Sequence, residues 1–584
     1  MTEPSLPIAG HHVSWRQRIV RSLIYGKDVD RDAKARARVG LAMLAFAAVY
    51  GVIAFKLIMI GALGTHEARR GGSSDAVATA RPDILDRNGQ ILATDVKAPS
   101  LYAEPRRIID QDEAVEMLTA TLPDLDTPEV RERLASKKGF VWLKREITPR
   151  QQAEIKKLGL PGVGFFRENK RVYPNGPEVS HLIGLVNIDN QGIAGIEKWL
   201  DTNGLADLHR AGFASDRQQE PIELAVDVRV EHALRDELLK AKEKYSAKAA
   251  SGLVSNVRTG EIVAMVSLPD FDPNNPRQAN EPDRINRLTT GVYEMGSTFK
   301  TMTLAMALDS GKATLQSTYD ARGPLHYGKF AIHDDHPLGR FITLPEVFTY
   351  SSNVGAARIA LAQGVEAHKA FLKKVGQFDR LRTELPESAS PIVPKRWGEL
   401  NTITIAFGHG IAVAPLQAVM AINAMVNGGN LIPPTFLKRS EEDALKLAKR
   451  VIKKDTSDKI RYLMRLNAEV GTARQADQIA KGYYIGGKTG TSEKVVNGRY
   501  AKKQVLNSFT AVLPADNPKY QVLVMLDEPK ALPETHGFIT SGWNAVPTGG
   551  KVIERIAPLL GIEPRFDLPT ADRLILAPTK TASN

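Results

Sequence analysis

Tyr293-Glu294-Met295-Gly296-Ser297-Thr298-Phe299-Lys300 is the stretch on which both fold and chemistry turn. A serine hydroxyl is a weak nucleophile until a base takes its proton. Three residues along a helix return the chain to one face, so a helix opening near Ser297 aims the Lys300 amine at the Ser297 oxygen. Phe299, Met302 and Met306 recur at helical spacing and predict that this helix is buried, with Ser297 at the positive end of its dipole. Alone, S-x-x-K also describes a helix cap followed by a solvated lysine, so the decision rests on partners elsewhere.

Two partners follow in order. Ser351-Ser352-Asn353 comes after Phe348-Thr349-Tyr350, and Gly486-Gly487 leads into Lys488-Thr489-Gly490-Thr491. A serine heading a helix, then S-x-N, then K-T-G is the signature of penicillin-binding proteins and class A β-lactamases. Each piece singly passes as a cap or a loop; the ordered set within one domain does not. Lys300 must be neutral to act as a base. Bringing a lysine from about 10.4 to 7 costs about 4.6 kcal/mol, which burial and a second cation, Lys488, are expected to supply.

The chain of 584 residues is long enough for several domains. Its net charge of +12 is spread along the sequence without a nucleic-acid-binding motif, which favours a membrane surface or an anionic polymer over nucleic acid. The absence of cysteine excludes disulfides and thiolate chemistry. Residues 1–38 carry eight Lys or Arg against four acids and read as a cytoplasmic basic tail. Val39 to Phe55 is uncharged, and with Lys56 and Leu57 to Leu63 it predicts a membrane anchor over 39–64, longer than the apolar core of a cleaved signal peptide. Everything beyond about His66 then lies outside the cytoplasm.

Gly71-Gly72-Ser73-Ser74 reads as a linker, and residues 65–221 as a pedestal. Within it, Asn88-Gly89 signals a hairpin, and helices are expected near Asp112 to Leu122 and Pro149 to Leu158. A second domain, 222–568, opens with a helix over Val230 to Tyr245 and a hairpin of Gly252–Val257 and Glu261–Leu268. Strands resume after Gly486, which predicts an α+β domain whose central antiparallel sheet comes from both ends of the segment and is flanked by helices. Residues 569–584 read as a loose tail. His333-Asp334-Asp335-His336 suits a polar loop better than a metal site, His409 between glycines a turn near the cleft, and His11-His12 a solvated tail.

From about Arg81 onward the chain resembles a class B penicillin-binding protein. The resemblance is carried by the three motifs together with Arg81, Asp86-Arg87-Asn88-Gly89, Arg171, Tyr173-Pro174, Gly176, His181, Gly192-Ile193-Ala194-Gly195-Ile196-Glu197, Phe407-Gly408-His409-Gly410 and Pro415-Leu416-Gln417. Met295 departs from it, standing where the family usually has proline. The resemblance implies that Ser297 attacks the D-alanyl-D-alanine carbonyl of a peptidoglycan stem peptide and that Lys300 is its base. It implies that Ser351 bridges Lys300 and Lys488 and relays a proton to the leaving amine, and that Asn353 holds the substrate amide and the lysine. Lys488, Thr489 and Thr491 meet the substrate carboxylate, while Gly490 leaves room for its backbone. The N–H groups of Ser297 and Thr491 form the oxyanion hole. It implies no cofactor and no metal, β-lactam inhibition, a membrane-embedded glycan polymerase and other division proteins as partners, and a septal role in the bacterial inner membrane. An elongation-specific transpeptidase, a β-lactam sensor or β-lactamase, and a scaffold with dispensable catalysis are the rivals.

Overall fold

The computed structural model describes Trp15 and residues 31–63, 81–204, 220–496 and 498–576. His11-His12, the glycine–serine linker and most of the basic tail lie outside these residues. Helix α1 (Arg31–Leu63) contains an 18-residue window, Val39–Lys56, apolar and long enough to cross a membrane, at about 27 Å for a rise of 1.5 Å per residue. Its side chains are exposed throughout that window.

The pedestal is built on the hairpin that Asn88-Gly89 announced. Strand β1 (Ile84–Leu85) pairs antiparallel with the long β2 (Ile91–Ala103), which also pairs with β3 (Val141–Lys144) and β4 (Val163–Val172). Helices α2 (Gln111–Thr121) and α3 (Pro149–Lys157) fall within a residue of expectation because their caps are local. Asp110 accepts from the N–H groups of Asp112 and Glu113, and Thr148 forms a capping box with Gln151 ahead of Pro149. Leu101, Leu118, Leu134 and Leu143 form the core between sheet and helices.

A buried ion network closes the pedestal. The Arg171 Nε donates to Glu197 Oε1 at 2.6 Å, its Nη1 to Asp95 at 3.2 Å and its Nη2 to the Pro82 carbonyl at 2.9 Å. Arg81 donates to the other Glu197 oxygen at 2.8 Å and to Asp201 at 2.6 Å. Arg171 and Glu197, two of the residues that carried the resemblance, are therefore structural. Strand β5 (Ile222–Glu223) then runs parallel to β1 and leads into the second domain. There Asp86 accepts from the N–H of Val228 at 3.2 Å, joining the hairpin to helix α4 (Val228–Lys244).

The second domain is three layers deep. A five-stranded antiparallel sheet has the order β8 (Gly486–Val496), β9 (Arg499–Leu513), β10 (Tyr520–Asp527), β6 (Ala249–Asn256), β7 (Ile262–Leu268), so both ends of the segment contribute as the pattern predicted. Alternation along β10 sends Val522 and Val524 to a core with α4 and α9 (Ala545–Leu559). Leu523 and Met525 face the opposite core, with α5 (Lys300–Asp309), α7 (Pro415–Val426) and α8 (Lys454–Val470). Helix α5 is buried from Lys300 to Leu308, as its apolar residues require. Helix α6 (Asn353–Gln363) packs in the same layer, and β8 is an edge strand.

Two expectations need correction. The helix does not begin at Ser297: Gly296–Phe299 is a 3-10 turn, and the α-helix starts at Lys300. Gly296 has φ of 54°, a left-handed conformation that glycine adopts without strain. The tail is tied down at its start, where the Tyr484 hydroxyl donates to the Pro569 carbonyl at 2.7 Å and the Ala571 N–H to Glu469 at 2.9 Å, while residues 577–584 lie outside the described residues. Replacing Glu197 by Ala would leave two buried guanidinium groups short of an anion. We expect a loss of about 3–5 kcal/mol in urea unfolding of the purified protein; a change below 1 kcal/mol would contradict the structural role of this network.

Candidate active site

The three sequence motifs converge on the N-terminal end of α5. The 3-10 turn matters here, since with three residues per turn the side chains at i and i+3 eclipse. Ser297 and Lys300 therefore lie one above the other, and Lys300 Nζ is 2.9 Å from Ser297 Oγ. Met295 has φ of −82°, close to what a proline ring enforces, so the turn keeps its course without the ring. Gly408 holds the turn from behind: a Cβ there would lie 2.1 Å from the Gly296 carbonyl oxygen.

Ser351-Ser352-Asn353 approaches from the head of α6. Ser352 is its N-cap, with Oγ accepting from the Gly355 N–H at 2.9 Å. Ser351 sits at φ of 57°, in the left-handed region a non-glycine residue seldom occupies, which turns its carbonyl and hydroxyl toward the lysines. Lys300 Nζ donates to the Ser351 carbonyl, approaches Ser351 Oγ at 3.1 Å and donates to Asn353 Oδ1 at 2.8 Å. Lys488 Nζ, arriving from β8, donates to the same Ser351 hydroxyl at 2.9 Å and to the Thr489 carbonyl at 3.2 Å. One hydroxyl thus bridges two amines.

Both lysines are fully buried. Burial pushes the Lys300 amine down to about 7, with Asp334 and Asp335 opposing the change. Burial first, and then the neighbouring Lys300 charge, hold Lys488 well below its usual value. The leading cause at Lys300 is therefore desolvation, one of the two causes expected. Two amines joined through one hydroxyl titrate as a pair.

The rest of the K-T-G strand is partly occupied by protein. The Thr489 hydroxyl pairs with that of Thr472 at 2.8 Å, and Thr491 Oγ1 accepts from the Ser541 N–H at 3.1 Å. A Cβ on Gly490 would lie 2.4 Å from Ser508 Oγ and 2.7 Å from the Met295 carbonyl, so the missing side chain makes room for Ser508 and the Ser297 turn, rather than for a ligand backbone as expected. The turn presses on the strand again one residue later, where a Cβ on Gly296 would be 3.4 Å from the Thr491 nitrogen. Edge strand β8 is paired on one side only, by β9.

Sequence reasoning missed Asp334 and Glu294. Asp334, in the loop noted only for its polarity, accepts from the Ser352 hydroxyl at 2.7 Å and from the N–H groups of Asn353 and Val354 at 2.5 and 2.9 Å. Its carboxylate is thus committed to the head of α6. Glu294 accepts from the Gly410 N–H at 2.8 Å, and its carbonyl accepts from the Ser492 hydroxyl at 2.6 Å. Neither link leaves a local sequence signal. His409 stacks on Tyr500 at 5.6 Å, and burial, then the Lys300 charge, lower it to about 4.

Comparison with known proteins agrees with this geometry. The Penicillin binding protein transpeptidase domain matches residues 250–541, and the Penicillin-binding Protein dimerisation domain matches residues 76–202. The chain belongs to the penicillin-binding proteins. With a dimerisation-type segment ahead of a transpeptidase domain, it is a class B transpeptidase of that family. Among its relatives, the probable peptidoglycan D,D-transpeptidase FtsI of Caulobacter vibrioides is 40% identical, over 87% of this chain and 86% of the relative. Stage V sporulation protein D of Bacillus subtilis is 31% identical, over 89% and 86%. Escherichia coli peptidoglycan D,D-transpeptidase FtsI is 29% identical, over 91% and 93%. The crystal structure of penicillin binding protein 3 from Mycobacterium tuberculosis, complexed with aztreonam, shares the fold with a TM-score of 0.63 at 22% identity, covering 84% of this chain and 98% of the other.

In this penicillin-binding protein, Gly408→Ala tests whether the position of the turn governs reactivity. The new methyl would clash with the Gly296 carbonyl, and φ of 83° would add strain. Displacing a reacting group by about 1 Å costs on the order of 100-fold in rate. We expect acylation by a fluorescent penicillin to slow by about that factor in a folded protein; a rate within threefold of wild type would contradict it.

Proposed function

We propose that this enzyme cross-links peptidoglycan stem peptides through an acyl-enzyme on Ser297 during septal wall synthesis. One observation carries the mechanism: of the partners around Lys300 Nζ, the Ser351 carbonyl and Asn353 Oδ1 can only accept. They use the two N–H bonds of a neutral amine. Its lone pair is left for a hydroxyl, and Ser297 Oγ at 2.9 Å is nearer than Ser351 Oγ at 3.1 Å. Lys300 takes that proton as Ser297 Oγ attacks the carbonyl between two terminal D-alanines.

Charge then develops on the carbonyl oxygen, where the N–H groups of Ser297 and Thr491 receive it. The proton passes from Lys300 through the Ser351 hydroxyl toward the departing D-alanine amine, with Lys488 keeping the relay polarised. Asn353 holds the donor amide, and Lys488, Thr489 and Thr491 line the place of the terminal carboxylate. The donor peptide adds along β8 as an extra strand. The amine of a second stem peptide resolves the ester by the reverse proton path and leaves the cross-link. A β-lactam, mimicking the D-alanyl-D-alanine end, acylates the same oxygen and is released slowly.

The septal assignment draws on relatives named FtsI at 40% and 29% identity. Helix α1 anchors the chain once in the bacterial inner membrane, with the basic residues 1–38 in the cytoplasm and the catalytic domain outside. A membrane-embedded glycan polymerase and other division proteins are its partners. The test is fluorescent-penicillin labelling of wild type and Ser297→Ala, with mass spectrometry of the modified peptide and imaging of a fluorescent fusion. We expect a stable adduct on Ser297, none in the variant, and mid-cell localisation. An adduct elsewhere would overturn the mechanism, rapid penicillin turnover would favour a β-lactamase, and uniform side-wall labelling would reverse the septal role.

A further inference from the structure

Asp334 performs two jobs at one place. Through its hydrogen bonds to Ser352 Oγ and to the Asn353 and Val354 N–H groups, it fixes the first turn of α6. The preceding carbonyl, of His333, accepts from Asn353 Nδ2 at 3.2 Å and so orients the Asn353 amide with Oδ1 toward Lys300. The same carboxylate has the larger effect of the two acids opposing the loss of charge at Lys300. Ser352 caps only the Gly355 N–H and leaves those of Asn353 and Val354 to Asp334, whereas carboxylates at a helix head commonly come from the helix's own first turn. Here the anion comes from 19 residues away and lies behind the S-x-N motif.

We propose that Asp334 is a positioning residue of the reaction, holding Asn353 against Lys300 and supplying the counter-charge that sets the pH at which the Lys300–Lys488 pair gives up its proton. This rests on Lys300 being the base for Ser297. The charged or titratable groups around the amine are Lys488 across Ser351, Asp334 and Asp335 from the loop, and His409 from the glycine turn. His409 is neutral above about pH 4 and does not titrate in the same range. Removing a negative charge disfavours the ammonium form, so the pair loses its proton at lower pH.

The experiment measures the second-order acylation rate of the full-length protein by a fluorescent penicillin from pH 5 to 10. Wild type, Asp334→Asn, Asp334→Glu and Asp335→Asn are compared. For Asp334→Asn we expect the acid limb to move down by about one pH unit, with a plateau lowered several-fold. Asp335→Asn removes charge but no bond to α6, so its limb moves less and its plateau stays. Asp334→Glu keeps the charge and lengthens the arm, so its limb stays and its plateau falls. Should Asp334→Asn fail to fold, Asp334→Glu still decides, because a wild-type plateau would overturn the positioning role and a displaced limb the electrostatic one. An Asp334→Asn limb superimposed on that of wild type would overturn the proposal while leaving the Ser297 mechanism standing. Absence of any adduct on Ser297 in wild type would instead defeat the mechanism itself.

Discussion

Two lysine amines buried against one serine hydroxyl are the constraint on which the rest of the structure depends. An ammonium group is costly to bury, and two of them 2.9 and 3.1 Å from one oxygen repel each other as well. The arrangement persists only if the surrounding elements are rigid enough to prevent the amines from escaping to water. Helix α5, buried from Lys300 to Leu308, provides one wall. The edge strand β8, held by the antiparallel sheet, provides another. The head of α6, tied to Asp334, provides the third. The cost is greatest below about pH 7, where folding must strip the proton from Lys300 or bury its charge. It fades as pH rises toward 10.4, since the unfolded lysine then loses its proton as well.

The architecture follows from patterns that a sequence displays locally. The β6–β7 hairpin, the helices α2 and α3, and the Asn88-Gly89 turn were all legible because each depends on neighbours within a few residues. The three motifs around Ser297 were legible for another reason, since each must present a particular side chain at a particular spacing. Links between distant segments were not. Nothing in the spacing of His333-Asp334-Asp335-His336 says that Asp334 will bind the N–H of Asn353. Likewise, Gly490 looks like room for a ligand until the Met295 carbonyl is found against it. The 3-10 turn escaped the helical template because Gly296 must accommodate the Thr491 backbone, a tertiary demand.

The pedestal illustrates the opposite relation between motif and role. Arg81, Arg171 and Glu197 are as distinctive in the sequence as the catalytic residues, yet they form a buried ion network some distance along the chain from Ser297. Such a network confers geometry more than stability, because its desolvation offsets much of its attraction. Here it fixes β1 and β2, whose hairpin in turn meets the start of α4 through Asp86. The pedestal and the catalytic sheet are thereby continuous through hydrogen bonds rather than joined by a free linker.

The central claim is that Lys300 is neutral at the pH where the enzyme works. The most direct measurement is an NMR titration of the full-length protein labelled at lysine side-chain nitrogen, with the Lys300 signal assigned by its loss in Lys300→Arg. The account predicts a transition near pH 7 that moves when Ser297 is acylated. A Lys300 transition near 10, unchanged by acylation, would contradict it.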